Sequence, residues 1–197
     1  SDRPPSGNLD AFAAYQHGVA FAAIGTEASM HRAIEAYTEA THLDPHYAAA
    51  YAKLASNWMA LATQYGGADA PQAIVKSRAA SRTALALDPD LAMAHLARGQ
   101  LLQNVDMDWR GAEAEAQRAL QLAPNDAAAQ GFLGIVKAAL GHNQRAAELT
   151  EPRIVADPRS ADGYFVLSSY LAALGRLAEA RQAIEKTIGL QSQGAVN

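Results

Sequence analysis

The sequence predicts an all-α fold, a right-handed superhelical solenoid of about five helix-turn-helix units, and three observations predict it. Pro45, Pro89, Pro124 and Pro158 each close an Ala-rich amphipathic stretch, at intervals of 44, 35 and 34 residues. A period of about 34 residues corresponds to one helix pair per repeat. A shift of 34 lays Ala127 on Ala161, Leu133 on Leu167, Leu140 on Leu174, Gly141 on Gly175 and Ala146 on Ala180. Small residues also keep fixed distances from the prolines: Ala40, Ala84 and Ala119 lie five before, and Ala33, Ala112 and Ala146 lie twelve before. No stretch shows the two-residue alternation of a half-buried strand.

Proline and glycine punctuate the elements. The first helix is expected over 9–24, after the segment Ser1 to Gly7, which is neither a signal peptide nor a helix and reads as a linker end. The second, 29–43, stops at Asp44 because a proline disfavours the α conformation in the residue before it. Asp88 and Asp157 end later helices for the same reason. The third, 46–64, carries Tyr47, Tyr51, Leu54, Trp58, Leu61 and Tyr65 at alternating steps of four and three, one face of a helix. Such a stripe is a packing seam, with an aromatic ligand cage as the alternative.

The loop Gln64-Tyr65-Gly66-Gly67-Ala68-Asp69 and a longer first helix give the second unit about ten extra residues, which project from one edge, with Asp69 capping the helix at 70–87. Helices follow at 90–104 and 109–122. Asp108 is the natural cap of the second of these, a better reading of Asp106-Met107-Asp108 than a cation pair. The last four are expected at 126–140, 143–155, 160–174 and 177–189. Pro152 falls inside the eighth, where it removes a donor and predicts a kink or break near Thr150, either a hinge or a tolerated bend. The chain thus divides into a linker at 1–8, an array at 9–190 in units of about 9–45, 46–89, 90–124, 125–158 and 159–190, and a tail at 191–197.

Within the units, a large residue opens the first helix as Tyr51 or Tyr164. A Leu-small pair follows as Leu54-Ala55, Leu133-Gly134 or Leu167-Ser168, and then a large residue as Phe21, Trp58, Leu102 or Leu171. The third unit departs, with His95 and Arg98 at bulky apolar positions. Their stems are expected on apolar surface and their heads in solvent or on an acid, Asp106 and Asp108 being near in sequence. A polar contact offered to a ligand is the alternative. From about Asn8 to about Leu190 the pattern resembles the tetratricopeptide repeat.

That resemblance implies stacked helix pairs with a concave inner surface, lined here by Phe12, Tyr15, Ala49, Ala52, Ser56, Met59, Met93, Leu96, Gln100, Gln103, Gly131, Ile135, Asp162, Phe165 and Ser169. None of these is Lys or Arg, whereas the carboxylate clamp of chaperone adaptors of this family needs such cations. The expected partner is therefore a protein or peptide presenting an apolar or helical segment, not an acidic C-terminal tail. The string from Val105 to Asn125 is similar to repeats that follow winged-helix or nucleotide cyclase domains in bacterial multidomain signalling proteins. It implies a piece of a larger regulatory or scaffold chain.

Composition narrows the function classes. With 50% hydrophobic residues the chain can bury a continuous core, and a net charge of −4 leaves no basic stripe for nucleic acid or anionic membrane. Cysteine is absent, and no apolar run reaches the roughly 20 residues of a membrane span. Phosphate-loop, dinucleotide, nucleophile-elbow and zinc-helix motifs do not occur, so no cofactor and no enzymatic activity are expected. His42, Asp44 and His46 are not expected to hold a metal, because Pro45 ends the helix that would converge the imidazoles. The reading is a non-enzymatic interaction module, with an architectural spacer or self-associating homo-oligomer as the alternative.

Overall fold

The structure, a computed structural model, describes residues 4–66 and 69–194; Gly67 and Ala68 of the long loop, residues 1–3 of the linker and residues 195–197 of the tail lie outside the described residues. Among the described residues there are ten α-helices and no strand: α1 (Leu9–Ile24), α2 (Glu27–Leu43), α3 (Ala48–Gln64), α4 (Ala70–Leu87), α5 (Ala92–Asn104), α6 (Trp109–Leu122), α7 (Ala127–Ala139), α8 (Asn143–Ala156), α9 (Ala161–Ala173) and α10 (Leu177–Gly194). The fold is all-α, made of consecutive helix-turn-helix pairs.

Local chemistry fixes most of the ends. Asn8 accepts from the Asp10 and Ala11 N–H groups at the start of α1, and Gly25 closes that helix at φ 73°, a left-handed conformation glycine adopts without strain. Thr26 and Ser29 form a reciprocal capping box on α2. Asp108 accepts from Gly111 N–H at 2.9 Å, Asp126 from Ala129 N–H and Ser160 from Gly163 N–H, capping α6, α7 and α9. Asp69 stands at the start of α4 but makes no side-chain cap bond. Its backbone is helical and the second residue of the helix is Pro71, which has no N–H to offer.

The expected break near Thr150 is absent: α8 runs unbroken from Asn143 to Ala156 through Pro152. Both Pro152 and Glu148, whose carbonyl Pro152 cannot bond, are exposed residues. The last helix continues to Gly194, well past 189, because no proline or left-handed glycine stops it.

The chain forms two compact units, 4–124 with α1 to α6 and 125–194 with α7 to α10. In the first, α1 packs on α2, α3 on α4 and α5 on α6, while α3 also touches α2 and α5. Its core is built on alanines without exposed surface (Ala11, Ala33, Ala40, Ala50, Ala55, Ala84) around buried Tyr15, Tyr37 and Tyr47. The Tyr15 ring lies 5.7 Å from that of Tyr37 and 5.1 Å from that of Tyr47. Small residues at crossings let helix axes approach closely, so the alanine register is a packing register.

In the second unit α7 packs on α8 and α9 on α10, with α8 against α9. Ala146, Ala147 and Tyr170 form the centre, with Ala138, Val166 and Leu167 packed on it. Thr187 on α10 donates to the Ala161 carbonyl at the start of α9, at 3.3 Å.

Candidate functional site

The fifteen residues expected to line an inner surface all fall on the first helices of pairs: α1, α3, α5, α7 and α9. Their exposure differs. In the first unit Tyr15, Ala49, Ala52 and Met59 are 1–3% exposed and belong to the core. Tyr15 is enclosed by Tyr37 and Tyr47, and α3 is flanked by α2, α4 and α5, so its inner stripe is covered. Phe12, Ser56, Met93, Leu96, Gln100 and Gln103 are half-buried. In the second unit Gly131 is half-buried, whereas Ile135, Asp162, Phe165 and Ser169 are exposed. Ile135 and Phe165 stand out as large apolar side chains at 44% and 55% exposure.

The aromatic stripe of α3 behaves as a seam. Tyr47, Leu54 and Leu61 are buried, Tyr51 and Trp58 pack half-buried on the core, and Tyr65 is exposed, its hydroxyl donating to the Gly25 carbonyl at 2.9 Å. Two of the large apolar rings are roofed by cations. Arg32 lies 4.0 Å from the Phe21 ring centre, and the Lys76 ammonium lies 4.3 Å from that of Trp58. Beside the second pair, a cleft of about 300 Å³ opens between α2, α3 and α4, lined by His31, Trp58, Leu61, Gln72 and Lys76 among others. The stepping of the sequence gave no sign of this cleft, because its walls come from three helices.

The polar departures of the third pair are resolved by a residue that sequence proximity did not reveal. His95 Nδ1 lies 2.6 Å from Glu115 Oε2 and its Nε2 lies 2.8 Å from the Pro89 carbonyl, while Arg98 Nε sits 3.0 Å from Glu115 Oε1. Glu115 on α6 is thus the shared anchor. Asp106 instead binds Arg78 in a two-pronged pair, at 2.7 and 3.0 Å, and the guanidinium holds its carboxyl below the usual range. Asp108 is occupied as a cap.

Asp44 also has a structural task. Burial pushes its carboxyl up, but bonds from the Ser6 hydroxyl and the His46 and Ser6 N–H groups outweigh this and leave it lowered. With Asn8 Nδ2 donating to the Leu43 carbonyl at 3.1 Å, these bonds tie residues 6–8 to the end of α2. The surfaces thus offer apolar contact, hydrogen bonds and paired charges. Among the described residues no cluster of three or more metal-ligating side chains is present.

No family model matches the chain, and no curated protein matches it. Solved structures do resemble it. PilW, a widely conserved type IV pilus biogenesis factor, is 19% identical over 94% of this chain and 79% of that chain, with a TM-score of 0.72. TTC0263, a thermophilic TPR protein of Thermus thermophilus, is 20% identical over 84% of this chain and 81% of that chain, at 0.66. YrrB, a TPR protein with an unusual peptide-binding site, is 20% identical over 93% of this chain and 87% of that chain, at 0.58. The alanine register, the proline-closed helix pairs and these likenesses agree that the chain has the fold of the tetratricopeptide-repeat proteins.

Proposed function

We propose that the chain is a non-enzymatic protein-protein interaction module, binding an apolar or helical segment of a partner on the inner faces of its first helices. One observation carries this reading: Ile135 on α7 and Phe165 on α9 leave 44% and 55% of their surface in water. Fully burying such a side chain from water is worth about 1.5–3 kcal/mol, so among the fifteen expected positions these two, each about half exposed, are where a partner gains most. The first unit, taken by itself, offers apolar contact through the half-buried Phe12, Met93 and Leu96 and hydrogen-bonding groups through Ser56, Gln100 and Gln103. YrrB, with its peptide-binding site, supports the reading by likeness of fold. The similarity of residues 105–125 to repeats beside winged-helix and cyclase domains supports a place inside a larger bacterial regulatory or scaffold protein.

The test is a selection from a displayed library of random dodecapeptides against the chain and against Phe165→Glu. The expected result is an apolar consensus on the unsubstituted chain that Phe165→Glu loses, with the chain monomeric by light scattering. No enrichment, or enrichment indifferent to Phe165→Glu, overturns the reading. A dimer broken by Phe165→Glu and by Leu96→Glu replaces it with self-association.

A further inference from the structure

Five residues before the closing proline, the first three helix pairs carry Ala40, Ala84 and Ala119, all at 0% exposure. In the last pair the corresponding residue, 34 on from Arg153, is Thr187 at 4%. Only the fourth pair puts a long charged side chain there, Arg153, half-buried on α8. The same pair departs from the register a second time. Where the other pairs place Tyr15, Ala52, Leu96 and Phe165 on the first helix, the fourth has Gly131.

The two departures fit each other. A Cβ built on Gly131 would lie 2.5 Å from Arg153 Nη1 and 2.9 Å from its Cζ, so the guanidinium rests in the room that a side chain at 131 would fill. A glycine inside a helix costs about 0.5–1 kcal/mol relative to alanine. Alanine at both positions would satisfy packing alone, as in the second pair, where Ala52 and Ala84 stand there.

The guanidinium also lacks a counter-ion. Glu148 is taken by Arg145 and Glu179 by Arg176, and among the described residues no ion pair joins Arg153 to Asp162 or to any other carboxylate. Tyr170 stands within electrostatic reach: burial pushes its phenol up, and the Arg153 charge draws it partly back. A partly desolvated cation with no partner is costly, and a planar guanidinium matches a carboxylate with two parallel bonds. Ile135, one turn beyond Gly131, and Phe165 supply exposed apolar surface on the inner helices of the same unit. That mixture suits a protein segment, and one guanidinium suits one charge.

We propose that Arg153, delivered through the space left by Gly131, anchors a single Asp or Glu side chain within the bound partner segment. The proposal rests on the interaction-module reading and adds the chemistry of its ligand: apolar residues flanking one internal acid.

The test uses random dodecapeptides displayed through their C-termini, so that side chains are the only peptide carboxylates. Selections are run on the full chain, on Arg153→Met and on Gly131→Ala. The expected consensus on the unsubstituted chain has an Asp or Glu at one fixed place beside apolar residues. Replacing that acid by its amide in a selected peptide should weaken binding about tenfold, the scale of one charge-assisted hydrogen bond, and by less than about twofold on Arg153→Met. Gly131→Ala should lose the acid preference as well, because its Cβ displaces the guanidinium while α7 stays helical. It serves as the decisive variant if Arg153→Met unfolds by circular dichroism. An apolar consensus without an acid, or an acid preference that neither substitution changes, overturns this inference and leaves the interaction module standing. No enrichment on any protein overturns both.

Discussion

Ser77 on α4 donates its hydroxyl to the Ala55 carbonyl on α3 at 2.7 Å, across a crossing where both residues are at most 1% exposed. The Ala55 carbonyl lies inside α3 and already serves the helix, so Ser77 supplies a second donor to a group that water cannot reach. We expect Ser77→Ala to lower stability by about 0.5–1.5 kcal/mol, the net value of a buried hydrogen bond. Ser77→Val, which also adds volume between close helices, should cost about 1–3 kcal/mol more. Urea denaturation midpoints at constant slope check both, and Ser77→Val as stable as Ser77→Ala would show that the crossing is not tight.

Gly18 and Gly189 make opposite predictions from one rule. A Cβ on Gly18 would lie 2.6 Å from two ring carbons of Tyr37, which is 1% exposed and packed at a tilt against Tyr15, so the ring has little room to move. Gly18→Ala should therefore destabilise by about 1–3 kcal/mol despite alanine's better helix propensity. A Cβ on Gly189 in α10 meets nothing within 4 Å. Gly189→Ala should raise stability by up to about 1 kcal/mol. Thermal melts of the two variants moving the same way would refute the packing account.

The helix ends were legible because they are written in local chemistry. Asp44-Pro45, Asp88-Pro89 and Asp157-Pro158 stop helices through the residue before proline, and the observed ends agree. Where local chemistry is silent the reading failed, as at the end of α10, which has no breaker. The placement of the expected inner residues on the first helices of pairs was legible, but not which of their side chains reach water. Spacing puts Ala49, Ala52 and Met59 on one stripe of α3, yet whether that stripe meets water depends on α2, α4 and α5. Glu115 was missed because it lies 20 residues from His95, one helix further on. The Arg153 departure was present in the alanine register, but its complement at Gly131 becomes evident only once α8 lies on α7.

Asp44 gives a pH-dependent prediction. It is 2% exposed and accepts three bonds, from the Ser6 hydroxyl at 2.7 Å, the His46 N–H at 3.0 Å and the Ser6 N–H at 3.3 Å. Its carboxyl is lowered in the folded chain, so the stability it adds is fully present above the unfolded value of about 3.9 and is lost as pH falls through the folded value. Asp44→Asn should be less stable than the unsubstituted chain by about 1–2 kcal/mol at pH 7, because the amide weakens the bonds to a charged acceptor. The gap should narrow below about pH 4. Melting both proteins between pH 7 and pH 3 decides it, and a gap that stays constant throughout would count against an ionised, hydrogen-bonded Asp44.

His95 and Arg98 occupy positions where the second pair places Tyr51 and Leu54 and the fifth Tyr164 and Leu167, so α5 and α6 are held together there by other means. Glu115 provides them: it meets His95 at 2.6 Å and Arg98 at 3.0 Å, and the second His95 nitrogen donates to the Pro89 carbonyl at 2.8 Å. The side chains of His95 and Glu115 are 14% and 18% exposed, whereas that of Arg98 is 53% exposed. Screening by water therefore weakens the arginine contact far more than the histidine one. We expect Glu115→Ala to cost about 1–3 kcal/mol, since it leaves His95 and Arg98 without their shared acceptor, His95→Ala to cost less, and Arg98→Ala to cost at most about 1 kcal/mol. The double substitution His95→Ala with Glu115→Ala should cost less than the two singles together, by a coupling of about 0.5–3 kcal/mol. Equilibrium unfolding of the four proteins measures that coupling directly. Strict additivity would mean that the contact does not fasten α5 to α6, and that burial of the two side-chain stems holds the third pair closed.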